Sequence, residues 1–377
     1  MQSQVMGRLK NYQIAYSSFI HPFGKVTPLE YTCETYNDIV RKFSFKIQRK
    51  SELISERTNL GSNFFLKEII VAHTRRDVLS HQLGFIEAFE KLYDISDSVS
   101  VMNNRMKIII TELERIIEHL TWFYELFLNS GIIQFNQIKN FRNKIKAILN
   151  QFFNIRGNDL SSCLEIGISH INWNEQSQIH FTAVLQSIYD QFLFLKDGIL
   201  NNFKLKQLLM SVGIMDSTSA LKTGTVGPIA RASAIDQDLR IDDPYFDYLS
   251  LVEFKIAQSY DQDIYGLVKV LLNEIVVSFE AIRFILEQDF SPKPQNNISE
   301  ADMSQSGQIS VRLETSKGPT IYSIECSEKM VVKGYGMTTP GMVNLHSLEI
   351  RLRNVPTTHI NRIIHAYNIT ELALFKS

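Results

Sequence analysis

The sequence predicts an α+β protein that is mainly α-helical, with a helix bundle between small N-terminal and C-terminal β-units. Four long stretches repeat apolar residues at intervals of three, four and seven, which is typical of helices that pack one face on a core. Short runs near the N-terminus and from Ile309 onward instead suit strands. We expect one continuous structural domain, with the β-unit in 1–60, the bundle in 61–290 and a C-terminal β/α unit in 291–377.

The first β-unit is predicted from two partly alternating runs, 12–16 and 29–33. Turn-forming residues separate them in the stretch His21-Pro22-Phe23-Gly24-Lys25. This pattern predicts a β-hairpin or small sheet with His21 and Lys25 at the tip of its loop. A histidine there is either a structural turn residue or part of a site.

The bundle is predicted from apolar periodicity in four long segments, which are 63–93, with a break near Thr74, then 101–128, 181–212 and 264–287. A charged helix is predicted at 139–153. The segment 101–128 has an apolar stripe on one side and charged residues, among them Lys107, Glu112, Glu114 and Glu118, on the other. The basic residues of 139–153 indicate a solvated face, with a docking patch as the alternative.

The last β-unit follows a polar connection at 291–307 that contains two prolines. Strands are predicted at 309–313, 320–326 and 348–352, with turns at 317–319 and 333–334.

A dense run of turn formers, small residues and charges lies between the helical segments, from Thr223 to Tyr245. We expect its backbone to cross the interior, where it needs internal hydrogen-bond partners. Arg231 and Arg240 can donate from forked guanidinium groups. The available acceptors in the same run are Asp236, Asp238, Asp242 and Asp243. The alternative is a solvated loop with incidental charges.

Composition excludes several classes of function. The 39 basic and 40 acidic residues give a net charge of −1, which does not favour a general nucleic-acid surface. Three scattered cysteines, Cys33, Cys163 and Cys326, form neither a disulfide framework nor a C-x-x-C metal site. The sequence has no signal-peptide core, no run near the roughly 18 apolar residues that span a bilayer, and none of the common nucleotide or hydrolase motifs. We therefore expect a cytoplasmic protein that meets a membrane only through partners.

Two runs carry a family resemblance. One is Gly-Pro-x-x-Arg-Ala-Ser-x-x-x-x-Asp-x-Arg from Gly227, followed by Asp-x-Pro-Tyr, and the other is Glu-Leu-x-Arg-Ile-x-x-His-Leu-x-Trp from Glu112. They resemble the large subunit of energy-converting nickel-iron hydrogenases and its relative, the 49 kDa (D) subunit of respiratory complex I. The resemblance covers most of the chain and is strongest in 112–122 and 224–274. It implies the hydrogenase large-subunit fold.

The resemblance also shows what this chain lacks. The hydrogenases hold nickel and iron with one C-x-x-C near each end of the chain, because these metals need soft thiolate ligands. Thr74 and Asp77 stand where the first pair is expected, and 368–375 contains no cysteine. We therefore expect no metal bound by this chain and no active nickel-iron hydrogenase. In the complex I relative, the cavity left by the metal accommodates a quinone headgroup.

The candidate acceptor-binding residues follow from that cavity. The complex I tyrosine, loop histidine and helix aspartate correspond here to Arg75, Lys25 and Asn129. The candidate set, which also includes neighbouring residues, is His21, Lys25, His73, Arg75, Asp77 and Asn129. These residues either bind an anionic or carbonyl-bearing ligand or neutralise one another, for example through an ion pair of Arg75 or Arg76 with Asp77. Arg231, Asp238 and Arg240 are expected to be structural loop residues.

The resemblance implies a chain of the D type of NADH-quinone oxidoreductase, which functions in electron transport within a membrane-associated complex. It would pack on an iron-sulfur small subunit and on membrane-arm subunits, peripheral on the inner face of the cell membrane. It would line a quinone-like or other acceptor cavity and bind no cofactor itself, the iron-sulfur cluster being in the partner. The alternative is a catalytically inactive scaffold subunit of such a complex.

Overall fold

The computed structural model describes residues 4–9, 12–20, 26–47, 60–62, 65–70, 74, 76–128, 134–156, 159–248, 255–288, 305–328, 331–368 and 373–376. In these ranges, two antiparallel sheets flank a set of long helices, and a third, two-stranded sheet is formed by Leu164–Glu165 and Ile168–Ser169. The α+β, mainly helical fold class is confirmed.

The N-terminal sheet has four strands in sequential order. They are β1 (Gln4–Leu9), β2 (Tyr12–Ile20), β3 (Val26–Tyr36) and β4 (Ile39–Ile47). β2 and β3 contain the two runs that predicted a hairpin. β4 joins the C-terminal part of the chain, because Val40 N donates to Val355 O at 2.9 Å and Asn354 N donates to Val40 O at 2.8 Å. The predicted loop tip with His21 and Lys25 lies outside the described residues.

The helices build the centre of the molecule. The long ones are α1 (Val78–Leu92), α2 (Val101–Phe127), α3 (Phe135–Phe153), α4 (Glu175–Leu200) and, later in the chain, α9 (Ile264–Glu287). Shorter ones between them are α5 (Phe203–Leu209), α6 (Ser217–Lys222), α7 (Gly227–Arg231) and α8 (Leu239–Asp242). Side-chain caps set several starts: Ser100 accepts from Asn103 N at 3.1 Å and Asp263 from Gly266 N at 2.8 Å.

Two predicted helical segments are divided in the structure. The segment 63–93 has the break that was predicted near Thr74: Thr74 is not helical, a π-helix lies before it at Phe65–Ile70, and α1 begins at Val78. The segment 181–212 is divided between α4 and α5, because Asn202 caps a new helix by accepting from Leu205 N at 2.9 Å.

α2 is buried on both sides. Its apolar stripe packs in the core, and Lys107, Glu112, Glu114 and Glu118 on the other side are buried as well. An amphipathic pattern would ordinarily turn such a face to water. Here the charged side chains instead meet other buried charges.

The C-terminal sheet contains β8 (Gly307–Thr315), β9 (Gly318–Ser327), β10 (Val331–Thr338) and β11 (Ala373–Lys376), with β5 (Leu60–Gly61) also pairing with β10. The pair Leu164–Glu165 and Ile168–Ser169 is β6 and β7. α1 packs closely on β9, since a Cβ atom on Gly84 would lie 2.4 Å from the ring of Tyr322. The predicted turn at 333–334 was wrong: the register shifts between Val332 and Gly334, and the strand continues through a bulge.

The predicted strand at 348–352 was also wrong. These residues lie in α11 (Leu345–Leu352), which follows α10 (Pro340–Val343) and precedes α12 (Ile360–Ala366). Leu345, Leu348 and Leu352 are buried at intervals of three and four, the period of a helix, so a longer window would have indicated one. In the described ranges, none of the helices combines the length and apolarity that crossing a membrane requires.

Candidate functional site

Arg231 lies at the end of α7, in the central loop, and is fully buried. Its Nη2 is 2.7 Å from Glu274 Oε1 on α9, and its Nη1 is 2.9 Å from Glu314 Oε1 on β8. The same Nη1 is 3.3 Å from Asp238 Oδ2. Arg231 therefore ties the loop to a helix and a strand at once.

Arg240 forms the second centre of this network. Its Nη2 is 2.6 Å from Asp238 Oδ2, and its Nη1 is 3.2 Å from Glu112 Oε1 on α2. Arg115 Nε donates to Glu112 Oε2 at 3.2 Å, and Tyr248 also donates to Glu112. Burial opposes ionisation of Glu112, but Arg115 and Arg240 outweigh it and hold its pKa below the ordinary value.

The network is close to balanced in charge. Its carboxyl groups belong to Glu112, Asp238, Glu274 and Glu314, and its guanidinium groups to Arg115, Arg231 and Arg240. Burial raises the pKa of Glu314 to about 7, so this carboxyl group is the one that binds a proton most readily. A buried network that is this fully paired stabilises one arrangement of its elements and is weak evidence of catalysis.

Only part of this pairing was visible in the sequence. Asp238 contacts both loop arginines, but Asp236 is exposed and Asp243 meets Arg312 at a half-exposed position. The other partners are glutamates far away in the chain. Glu112 and Glu274 stand in the two regions where the family resemblance is strongest, whereas Glu314 carried no local signal.

Gly227 brings the loop against the hairpin of β8 and β9. Its φ is +67°, and a Cβ atom would lie 2.1 Å from the carbonyl oxygen of Lys317. Asn344 fixes the neighbouring backbone, accepting from Val226 N at 2.9 Å and donating to Val226 O at 3.2 Å. The Gly-Pro turn therefore needs glycine both for conformation and for space.

A cavity of about 30 Å³ lies where this turn, α2, the hairpin tip and the C-terminal helices meet. This volume accommodates about two water molecules. Its polar lining residues include His119, Trp122, Lys317, Asn344 and Asn368. Trp122 lines the cavity, and its indole nitrogen is buried with no hydrogen-bond partner among the described residues.

Asp77 is the candidate acceptor-binding residue that the structure describes. It precedes α1 in a left-handed conformation with φ 53°, and it is buried. Its Oδ1 accepts from Ser316 N at 3.0 Å, and its Oδ2 is 3.5 Å from Lys317 Nζ. Burial opposes ionisation, but Lys317, His81 and Ser316 together hold the pKa of Asp77 below its ordinary value.

Of the two arginines expected to pair with Asp77, Arg75 lies outside the described residues and Arg76 pairs with two glutamates. Arg76 Nη1 is 3.0 Å from Glu118 Oε2, and Nη2 is 2.9 Å from Glu125 Oε1, both on α2. Asp77 instead turns to Lys317, a residue that sequence reasoning had placed only in a turn. The other candidates, His21, Lys25, His73, Arg75 and Asn129, lie outside the described residues, and their convergence stays a prediction.

The described residues do not fit a nickel-iron centre. Such a centre needs four thiolates, whereas Thr74 and Asp77 are buried where the first pair was expected. Burial raises the pKa of Cys33 and Cys326 to about 11 and that of Cys163 to about 12, so all three thiols are protonated at neutral pH. Within the described parts of the chain, no group of three or more histidine, cysteine or acidic side chains could hold a metal ion.

Comparison with known proteins finds similar sequences over part of the chain. Residues 135–304 match the family described as the 49 Kd subunit of respiratory-chain NADH dehydrogenase. The D-type subunit of NADH-quinone oxidoreductase from Clostridium beijerinckii is 29% identical over 222 residues, or 57% of this chain and 58% of that protein. The equivalent protein of Geotalea uraniireducens is 24% identical over 312 residues, or 72% of this chain and 75% of that protein. This chain is similar to these respiratory subunits, and it spans about 58% of the length of the first of them and about 75% of the second.

The fold of this subunit-like chain agrees with a solved structure. It aligns with a chain of the membrane-bound sulfane sulfur reductase, an archaeal respiratory membrane complex, with a TM-score of 0.83. The alignment covers 95% of this chain and 97% of that chain at 14% identity. The fold that the resemblance implied is therefore confirmed.

Proposed function

We propose that this chain is a subunit of a membrane-associated oxidoreductase of the complex I and hydrogenase type, without nickel-iron chemistry. It packs on an iron-sulfur small subunit and lines the cavity of a quinone-like or other acceptor. The observation that carries this proposal is the cavity bounded by the Gly-Pro turn, the hairpin tip and α2, with Lys317 and Trp122 among its lining residues.

The chemistry of this lining suits an acceptor that carries a carbonyl or anionic oxygen. The side chain of Lys317 is 13% exposed, and a charge-assisted hydrogen bond from its ammonium group is about twice as strong as a neutral one. The indole N–H of Trp122 is a second donor. Lys25 and Arg75, if they converge here as the family fold implies, would make the cavity more cationic, with His21, His73 and Asn129 beside them.

Exposed apolar side chains are consistent with contacts to partner subunits. Phe194 is 87% exposed, Phe203 71% and Leu221 62%, so these three apolar side chains are accessible to another chain. With the resemblance to subunits of respiratory membrane complexes, this favours a cytoplasmic position on the inner face of the membrane, where membrane-arm subunits are the second set of partners.

One observation favours the alternative of an inactive scaffold. Lys317 is already paired with Asp77, and about 30 Å³ is less than a quinone headgroup needs. An acceptor would need a larger cavity than this one. In a scaffold the cavity would stay closed, and the ion pair would only replace the lost metal site.

The two functions can be separated in the purified complex. We first expect affinity purification of the chain from its source to recover an iron-sulfur subunit and membrane subunits. Lys317→Gln and Trp122→Phe should then lower the rate of acceptor reduction at least tenfold without changing subunit composition, as should Lys25→Ala and Arg75→Ala. Lys269→Gln, which removes a surface ion pair with Asp261, is the matched control. Full activity in all four cavity variants would favour the scaffold, and recovery of the chain alone would contradict both functions.

A further inference from the structure

A cluster of buried charges adjoins the cavity. We call the side chains of Asp77, Glu114, Glu118 and Glu125, with the cations Arg76 and Lys317, the Asp77 cluster. Its ion pairs are Asp77 with Lys317, and Glu118 and Glu125 with Arg76. Glu114 instead accepts hydrogen bonds from Leu79 N at 2.8 Å, Ser80 N at 2.6 Å and Ser80 Oγ at 2.6 Å.

The cluster has more carboxyl groups than cations. In the part of the chain that the structure describes, its four carboxyl groups share the two cations of these ion pairs, so full ionisation of these six side chains would leave two more negative than positive charges in a buried place. Like charges at short range in a low dielectric are costly, and binding a proton relieves them. Glu114 and Glu118 are one helical turn apart on α2 and face the same region.

The groups around the pair come from every element packed against it. They are Arg76, Asp77 and His81 at the start of α1, Glu125 on α2, Arg142 and Lys146 on α3, Lys317 at the hairpin tip, and Tyr322 on β9. Burial and the neighbouring Asp77 and Glu118 raise the pKa of Glu114 to about 8, although the hydrogen bonds from Ser80 and Leu79 lower it. Burial likewise raises the pKa of Glu118 to about 7, against Arg76. Because the two carboxyl groups are close enough to interact, protonation of one affects protonation of the other, and they titrate as a pair.

We propose that Glu114 and Glu118 form a proton-binding site that is coupled to the cavity through Lys317 and Asp77. Lys317 lines the cavity and contacts Asp77, and its charge also opposes proton binding at Glu118. An anion that pairs with Lys317 offsets this charge, so the glutamate pair binds its proton more tightly. By linkage, the protonated pair strengthens binding of the anion by the same factor.

The coupling has a use that rests on the proposed function. Electrons supplied by a reduced iron-sulfur partner place negative charge on an acceptor oxygen in the cavity. The glutamate pair would then take up a proton from solvent as the charge forms, and so stabilise the reduced acceptor. Proton binding itself needs neither an acceptor nor turnover, so it can be tested separately.

The experiment is an infrared difference titration of the full-length chain between about pH 5 and pH 9, which follows the C=O stretch of protonated carboxyl groups. The wild type should lose such a band near neutral pH. Glu114→Gln or Glu118→Gln should remove one part of it, distinct from the part due to Glu314, which also titrates near pH 7. The exposed Glu349→Gln should leave the whole band intact.

The coupling is tested by Lys317→Gln, which removes the charge on the cavity side. The midpoint of the component assigned to the glutamate pair should rise by about one pH unit, as expected for loss of a nearby opposite charge. Lys269→Gln should not move it. A band unchanged in both glutamate variants would overturn the site, and an unmoved midpoint in Lys317→Gln would overturn its coupling. Neither outcome depends on whether the complex reduces an acceptor.

Discussion

Arg231 and Glu274 share a bifurcated contact in which Nε at 2.8 Å and Nη2 at 2.7 Å both reach Oε1 of the glutamate. The other oxygen, Oε2, is 2.8 Å from Nε2 of His119 on α2. Glu274, on α9, thus links Arg231 in the central loop to His119 on α2. This carboxylate therefore joins the central loop to α2, one of the walls of the cavity.

Replacing Arg231 by methionine should destabilise the fold strongly. The substitution leaves Glu274, Glu314 and Asp238 without a shared cation in a place that water does not reach. Breaking a buried ion pair in this way costs about 3–5 kcal/mol. Chemical denaturation at neutral pH measures the loss.

The matched control is Arg312→Met, which removes an arginine that is 54% exposed and pairs with Asp243. A surface pair contributes about 0–1 kcal/mol, so its loss should be barely measurable. Equal effects of the two substitutions would mean that the network around Arg231 does not stabilise the fold as described.

Gly227→Ala should push the Gly-Pro turn away from the hairpin. The added Cβ atom would lie 2.1 Å from Lys317 O and 2.7 Å from Gly318 Cα, which are backbone atoms that cannot rotate aside. We expect a loss of more than about 2 kcal/mol from overpacking and backbone strain combined. Thermal unfolding, with limited proteolysis at the hairpin, detects both effects.

Gly224→Ala separates strain from crowding. Gly224 has φ +63°, close to that of Gly227, but a Cβ atom there has no neighbour within 4 Å. Gly224→Ala should lower the free energy of unfolding by only about 1 kcal/mol. If both variants lost the same stability, the close approach of the turn to Lys317 would play no part.

Much of the fold could be predicted because long-range packing and local pattern agree in the long helices. The segment 264–287 coincides with α9 (Ile264–Glu287), and the segment 101–128 differs from α2 only at its last position. Prediction was weaker in short segments, because they contain too few residues to show a clear hydrophobic periodicity. The runs 331–338 and 348–352 are too short for alternation and helical spacing to differ clearly. The strand at 331–338 was missed, and the helical run 348–352 was predicted to be a strand.

The candidate site was harder to predict, because its contacts join residues far apart in the chain. Asp77 was recognised through its place in a family pattern, but its partner Lys317 lies in the last quarter of the chain and stood in an ordinary turn motif. Glu114 and Glu118 looked like a solvent-facing stripe of α2. Only the arrangement of α1, α3 and the hairpin around that stripe makes it a buried cluster.

Metal analysis of the purified chain should show no stoichiometric nickel. Nickel-iron sites require four thiolates, and this chain has three cysteines in all. Elemental analysis by mass spectrometry, with an active nickel-iron hydrogenase as the positive control, gives the metal content per chain. One nickel atom per chain would contradict the prediction.

The last prediction concerns the stability of the fold in acid, through Glu274. Burial opposes its ionisation, but Arg231 and the hydrogen bond from His119 outweigh burial and lower the pKa of Glu274 to about 2. Since this folded-state value lies below the ordinary value of 4.5, the ionised form is favoured by folding. Its contribution is complete above the unfolded-state pKa and is lost as the pH falls from about 4.5 to about 2.

Glu274→Gln should therefore lower the free energy of unfolding by several kcal/mol at neutral pH, since Arg231 loses its charge partner. The difference between wild type and variant should shrink as the pH falls through this window, because the wild-type carboxyl group also becomes neutral. Urea unfolding at a series of pH values from about 3 to 7 measures both. Glu349→Gln, at an exposed position, should follow the wild type throughout. A difference between wild type and Glu274→Gln that stayed constant with pH would show that the glutamine acts through its shape, and that Glu274 is not held ionised by Arg231.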